Sequence, residues 1–209
     1  MEITPLCRIM ANHGSDKWSG RHDYTIEYHS LFRNRRLGIR AVFELGIGSN
    51  NPDVPCNMGL GGTPSASLRG WRAYFPNATI YGADIDRDIL INEDRIFTFY
   101  VDQRDKTSIE EMWNLEPLKN ITFDLMVDDG LHSIEANFTF LRNSFHKLNI
   151  GGIYYIEDIQ NSHKTITEYI RGLEELRETV DFRYDIINSI LPGNVIDNCL
   201  IKLSDFKTK

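Results

Sequence analysis

Cysteine is scarce in this sequence, long apolar runs are missing, and there is no excess of basic residues. Cys7, Cys56 and Cys199 are the three cysteines of a 209-residue chain. They are odd in number, widely spaced and include no C-x-x-C pair, which argues against both a zinc ribbon and a disulfide framework. No apolar run approaches the roughly 18 residues that a membrane helix requires. The opening residues Met1-Glu2-Ile3-Thr4-Pro5 lack a basic stretch followed by an apolar one, so no signal peptide and a cytoplasmic location are expected. Thirty acids stand against 23 bases, a net charge of −7. That balance lacks the basic stripe of a nucleic-acid binder and disfavours an anionic membrane surface as partner. There is no internal repeat or low-complexity tract. Hydrophobic residues make up 41% of the chain, enough at this length for one sizeable core and one globular unit.

The apolar residues alternate between two periods. Runs at Ala41–Gly46, Thr79–Asp84, Ile96–Val101, Phe123–Asp128 and Ile153–Ile156 read as buried strands. Between them, helical spacing links Leu68, Trp71 and Phe75, then Ile109, Met112 and Trp113. The clearest helical stripe is Ile134, Phe138, Leu141, Phe145 and Leu148, with Ser133 as its N-cap and Gly151-Gly152 as its end. Ile166, Tyr169, Ile170, Leu173 and Leu176 form another. The chain closes with two strand-like runs, Phe182–Ile187 and Val195–Leu203, around a turn at Pro192-Gly193-Asn194. Strand and helix in alternation predict an α/β fold, a mostly parallel Rossmann-like sheet with helices on both faces and a terminal antiparallel hairpin. Residues 1–38 are more polar and predict a cap segment, with one helix over Tyr24–Phe32, lying across the carboxyl edge of a 39–209 unit.

Ligands of open α/β sheets bind beyond the carboxyl ends of the strands. Gly46 and Gly48 follow the first strand and permit a tight turn with close backbone approach to a ligand. The third glycine of a dinucleotide fingerprint is replaced by Asn50, and a plain turn is the competing reading. Asp84 ends the second strand, where a carboxylate can accept both hydroxyls of a ribose, or simply face solvent. Asp102 and Gln103 follow the third and suit an adenine edge, or a polar loop. The fourth strand ends in Asp128-Asp129-Gly130-Leu131-His132 and the fifth in Glu157-Asp158. Neighbouring strand ends would gather Asp129, Glu157, Asp158 and His132 around one pocket. Clustered carboxylates repel unless a cation joins them, and an all-oxygen set suits Mg²⁺ or Mn²⁺ better than zinc. His132 is then a candidate general base. Lys17, His22 and Tyr24 are weaker candidates to reach the pocket from the N-terminal segment. Cys56, with no histidine or acid beside it in sequence, is not expected to be a nucleophile.

These motifs, together with Ser67-Leu68-Arg69-Gly70-Trp71 and the N-terminal Gly14-Ser15-Asp16-Lys17 with Tyr24, resemble the class I S-adenosylmethionine methyltransferases. Over about residues 14 to 160 they are most similar to the metal-dependent sugar O-methyltransferases acting on macrolide and related glycosides. The resemblance implies a seven-stranded sheet in the order 3-2-1-4-5-7-6. It implies a cofactor site built from Glu44, Gly46, Gly48, Ser67, Asp84, Asp102, Gln103 and Asp128. Asp129, Glu157 and Asp158 would hold the metal, with Asp129 and His132 catalytic and His132 the base. The acceptor would be a small molecule carrying a sugar hydroxyl, and a homo-oligomer is left open. The segment from Asn50 to Pro64 does not follow the family pattern. Two other functions compete: a nicotinamide-dependent oxidoreductase, and a non-catalytic methyltransferase-like binding subunit. The missing third glycine disfavours the first, and the intact Asp129, His132 and Glu157-Asp158 disfavour the second.

Overall fold

Parallel strands need long crossovers, and the helices between the apolar runs supply them. The computed structural model describes residues 3–18, 20–188 and 197–208. The central strands are β1 (Ala41–Leu45), β2 (Thr79–Asp84), β4 (Ile96–Tyr100), β5 (Phe123–Asp128) and β6 (Leu148–Ile159), all mutually parallel where they pair. The outer strands β3 (Asn92–Glu93), β7 (Val180–Asn188) and β8 (Cys199–Thr208) pair antiparallel. One sheet results, in the order β3-β4-β2-β1-β5-β6-β8-β7.

That is eight strands rather than the seven expected, so the order 3-2-1-4-5-7-6 needs correction at the β3 edge. The added β3 is too short to register as an apolar period. It is held locally: Arg95 takes a left-handed turn at φ +56, and the Thr98 hydroxyl accepts from the Ile91 amide at 2.5 Å. The glycine pair is corrected as well. Helix α5 (Ile134–Ser144) is capped by Ser133 as expected, but it stops at Ser144 and passes into a 3-10 turn over Phe145–Lys147. Gly151-Gly152 lies inside β6, where the pairing with β5 shifts register. Gly151, at φ +77, supplies the left-handed residue of that irregularity. The expected turn at Pro192-Gly193-Asn194 lies outside the described residues.

The helices divide between the two faces of the sheet. On one face α4 (Lys106–Asn114), α5 and α6 (His163–Arg177) enclose a core of Phe43, Trp113, Phe123, Phe140 and Leu173. On the other, α1 (Pro5–His13), α2 (Tyr24–Phe32) and α3 (Ala66–Tyr74) bury Met10, Tyr28, Phe32, Trp71 and Phe75. Helix α1 adds to the single helix expected in this segment, and its signals are local. Thr4 accepts from the Cys7 amide, Pro5 opens the first turn, and Gly14 closes the helix in the left-handed conformation. Among the described residues no helix is long and apolar enough to cross a membrane.

Candidate active site

Two cavities open along the carboxyl edge of the parallel strands. The smaller, about 610 Å³ including its mouth, is lined by Gly46, Gly48, Asp84, Asp102, Gln103 and Asp129 among others. The larger, about 1550 Å³, is lined by Lys17, Trp18, Arg21, Ser67, Asp129, His132 and Asp158 among others. They share Gly46, Gly48, Cys56 and Asp129.

The glycine turn brings β1 close to β5. Gly46 sits at φ +78, and a Cβ there would lie 2.0 Å from the Asp129 carbonyl oxygen. Asp84 accepts the Ile47 amide at 2.9 Å and the Asp86 amide at 2.9 Å, one on each oxygen. Burial pushes its carboxyl up while those amides oppose the shift. Asp102 is engaged by Arg104, at 2.9 and 2.8 Å. The Gln103 carbonyl accepts from the Leu131 amide at 2.6 Å, so Gln103 ties the end of β4 to the loop after β5.

Two expected cofactor residues, Glu44 and Asp128, line neither cavity. Glu44 is fully buried and accepts from the Trp71 indole. Asp128 is fully buried and accepts from Asn137 at 3.0 Å and Tyr154 at 3.3 Å. Burial pushes its carboxyl up to about 6, against the pull of the Asn137 hydrogen bond. Ser67 lines the larger cavity rather than the smaller.

The acid pair at the end of β6 divides. Successive strand residues point to opposite faces. Here the β6–β8 register also shifts between Ile156 and Ile159, and Asp158 is left-handed at φ +54. Asp158 thereby turns toward His132, itself left-handed at φ +55. His132 Nε2 lies 3.3 Å from Asp129 Oδ1 and 3.6 Å from Asp158 Oδ2. One donor atom from each of Asp129, His132 and Asp158 falls within 4.8 Å of the others. Glu157 is not in that group, which differs from the expected metal set. It turns to α2, accepts from Tyr28 Oη at 2.5 Å and binds the Lys17 ammonium.

Lys17, a candidate from the N-terminal segment, does reach the pocket. Its Nζ contacts Glu157, Asp129 Oδ2 at 2.5 Å and Glu44 Oε1 at 3.3 Å, and the side chain is 2% exposed. Burial works against its charge, but Asp129, Glu157 and Glu44 outweigh that and keep it an ammonium. Tyr24 and Tyr28, one helical turn apart on α2, donate to Asp158 and Glu157 respectively. The i,i+4 tyrosine spacing and the Gly14 helix stop were the available signals for this arm. Burial disfavours an Asp129 carboxylate, yet Lys17 and His132 together hold it below the usual range. Burial likewise disfavours a charged His132. The hydrogen bonds to Asp129 and Cys56, with the charges of Asp129 and Asp158, reverse this and push it up to about 11. Cys56 also donates to the Leu131 carbonyl at 3.1 Å, which fastens the loop after β1 beside His132.

No protein-family model matches the chain. It is 34% identical over 163 residues to the 8-demethyl-8-alpha-L-rhamnosyl tetracenomycin-C 2'-O-methyltransferase of Streptomyces olivaceus, which covers 78% of this chain and 39% of that protein. It is 32% identical to the demethylmacrocin O-methyltransferase of Streptomyces fradiae, over 76% of this chain and 37% of that one. The chain is a homologue of sugar O-methyltransferases. It spans about two fifths of the length of these curated relatives. The MycE methyltransferase of the mycinamycin biosynthetic pathway, solved in complex with Mg and SAH, shares the fold. Its TM-score is 0.70 at 22% identity, covering 97% of this chain and 55% of that one. The chain therefore shares that protein's Rossmann-like fold, with a mixed sheet and helices on both faces.

Proposed function

We propose that this chain transfers a methyl group from S-adenosylmethionine to a hydroxyl of a sugar or glycosylated small molecule, with Mg²⁺ (or Mn²⁺) as metal. One observation carries the reading: the Asp129–His132–Asp158 cluster lines the larger cavity, and its Asp129 lines the smaller one as well. Both sequence relatives described above are named as O-methyltransferases, and the name of the first specifies a rhamnosyl tetracenomycin, which supports the same class. The smaller cavity fits the donor. Gly46 keeps the floor close to the backbone, and Asp84 has the place and chemistry to hold a ribose. The pair Asp129 and Asp158 fits a hard cation, since both offer carboxylate oxygens. Glu157 would complete the set only by leaving Lys17. Residues 1–38 are then the cap of the site and 39–209 its cofactor-binding unit.

When bound, the metal supplies Lewis acidity at the acceptor oxygen and the sulfonium supplies the methyl group. Asp129 and Asp158 orient the acceptor's neighbouring hydroxyls in the larger cavity, which both line. His132 takes the hydroxyl proton at Nε2. Beside two bare carboxylates it is an imidazolium, so this role needs the charge of Asp129 and Asp158 to be offset. A nicotinamide dinucleotide fits less well, because the third glycine of its fingerprint is missing after Gly48.

Calorimetry with S-adenosylhomocysteine and with NAD, followed by methyl-donor turnover on a panel of glycosides, tests the reading. Binding of the first compound only, and turnover that stops with EDTA and returns with magnesium, is the expected outcome. Preference for NAD, or turnover indifferent to EDTA, would overturn the cofactor or the metal assignment respectively.

A further inference from the structure

We infer that Lys17 is a positioning residue that competes with the divalent cation for Asp129, holding the strand-end acids together until the cation replaces it there. The inference rests on the metal reading proposed above. Both oxygens of Asp129 are engaged: Oδ2 by Lys17 at 2.5 Å and Oδ1 by His132 at 3.3 Å. A cation joining Asp129 to Asp158 must take an oxygen from one of these groups or sit a few ångströms from the ammonium, where like charges repel strongly. Lys17 is the partner able to yield. Its ammonium also contacts Glu157 and Glu44, which belong to β6 and β1 and line neither cavity. It therefore keeps two carboxylates after releasing the third, and its flexible four-carbon stem allows the small shift.

The backbone at Lys17 is anchored. Its amide donates to Ser15 Oγ at 3.3 Å, and its carbonyl accepts from the Thr25 amide at 3.2 Å. The exchange is thus a side-chain movement with a reporter beside it, since Trp18 lines the larger cavity next to Lys17. A merely structural lysine has the opposite consequence. Its removal would loosen the acids and weaken metal binding, whereas removal of a competitor tightens it.

The test is calorimetric titration of MgCl₂, without methyl donor, into the full chain and into Lys17→Met. The variant is expected to bind Mg²⁺ about tenfold more tightly or better. Equal or weaker binding by the variant, with the wild type still binding, overturns the Lys17 inference and leaves the metal reading standing. No binding by either protein overturns both. If Lys17→Met does not fold, the wild type answers through tryptophan fluorescence during the same titration, with Trp18→Phe to assign the signal. A saturable change that disappears in Trp18→Phe supports the exchange. Calorimetric binding with no such change overturns it.

Discussion

His132 shows that a side chain's chemistry is set by what surrounds it. Its left-handed backbone turns the ring toward Asp129 and Asp158, and those two acids outweigh burial in deciding its charge. Replacing it with alanine is expected to lower turnover by roughly a hundred- to ten-thousand-fold. Affinity for S-adenosylhomocysteine should be nearly unchanged, because the smaller cavity is not lined by His132. Steady-state kinetics and calorimetry on one preparation check both halves, and full activity in the variant would remove the base. Gly46 makes the complementary case. A left-handed backbone costs a non-glycine residue roughly 1–2 kcal/mol, and the added Cβ would also collide with the Asp129 carbonyl. Gly46→Ala should therefore lose at least that much stability in urea titration and also lose cofactor binding.

Among the elements, the two-residue β3 depends on side chains that reach across from a helix. Glu93 receives Arg69 at 2.7 Å and Arg72 at 3.2 Å, both from α3. The Arg69 hydrogen bond is the main cause that lowers the Glu93 pKa below the ordinary value, with burial opposing it. The contribution of a carboxylate so lowered is present above its unfolded pKa and is lost as the pH falls through the folded one. Glu93 is about a third exposed, so solvent screens the pair. Glu93→Gln should cost about 0.5–1 kcal/mol at pH 7, and in parallel denaturation curves the difference from wild type should shrink as the pH falls below the ordinary glutamate range. Helix α2 works in the reverse direction, holding the sheet rather than being held by it. Its Tyr24 and Tyr28 grip adjacent acids that point different ways.

For the molecule as a whole, the N-terminal segment belongs to both the core and the site. Tyr28 meets Trp71 with ring centres 5.0 Å apart, and Phe32 meets Phe75 at 5.4 Å. Residues 39–209 expressed alone would expose that aromatic face and lose the Lys17 ammonium from among three acids. Such a fragment is expected to bind a hydrophobic dye and to lose its sharp thermal transition, the signs of a loosened core. A cooperative transition without dye binding would show instead that the cap is dispensable for folding.

The sequence by itself determined the strands and helices of the parallel core, because burial on one face leaves a period of two or 3.6 that needs no partner to be read. It also determined that acids collect at the carboxyl ends, since strand ends are visible in the same pattern. Glu44, Asp84, Asp128, Asp129, Glu157 and Asp158 all stand there. Only the tertiary structure decided which of these acids face a cavity. Asp128 and Asp129 are neighbours in sequence, yet the first is sealed beneath Asn137 and Tyr154 while the second lines both cavities. Glu157 and Asp158 part in the same way, because a register shift in β6 re-aims one of them. Lys17 lies more than a hundred residues from two of its partners, a separation across which no local period carries a signal.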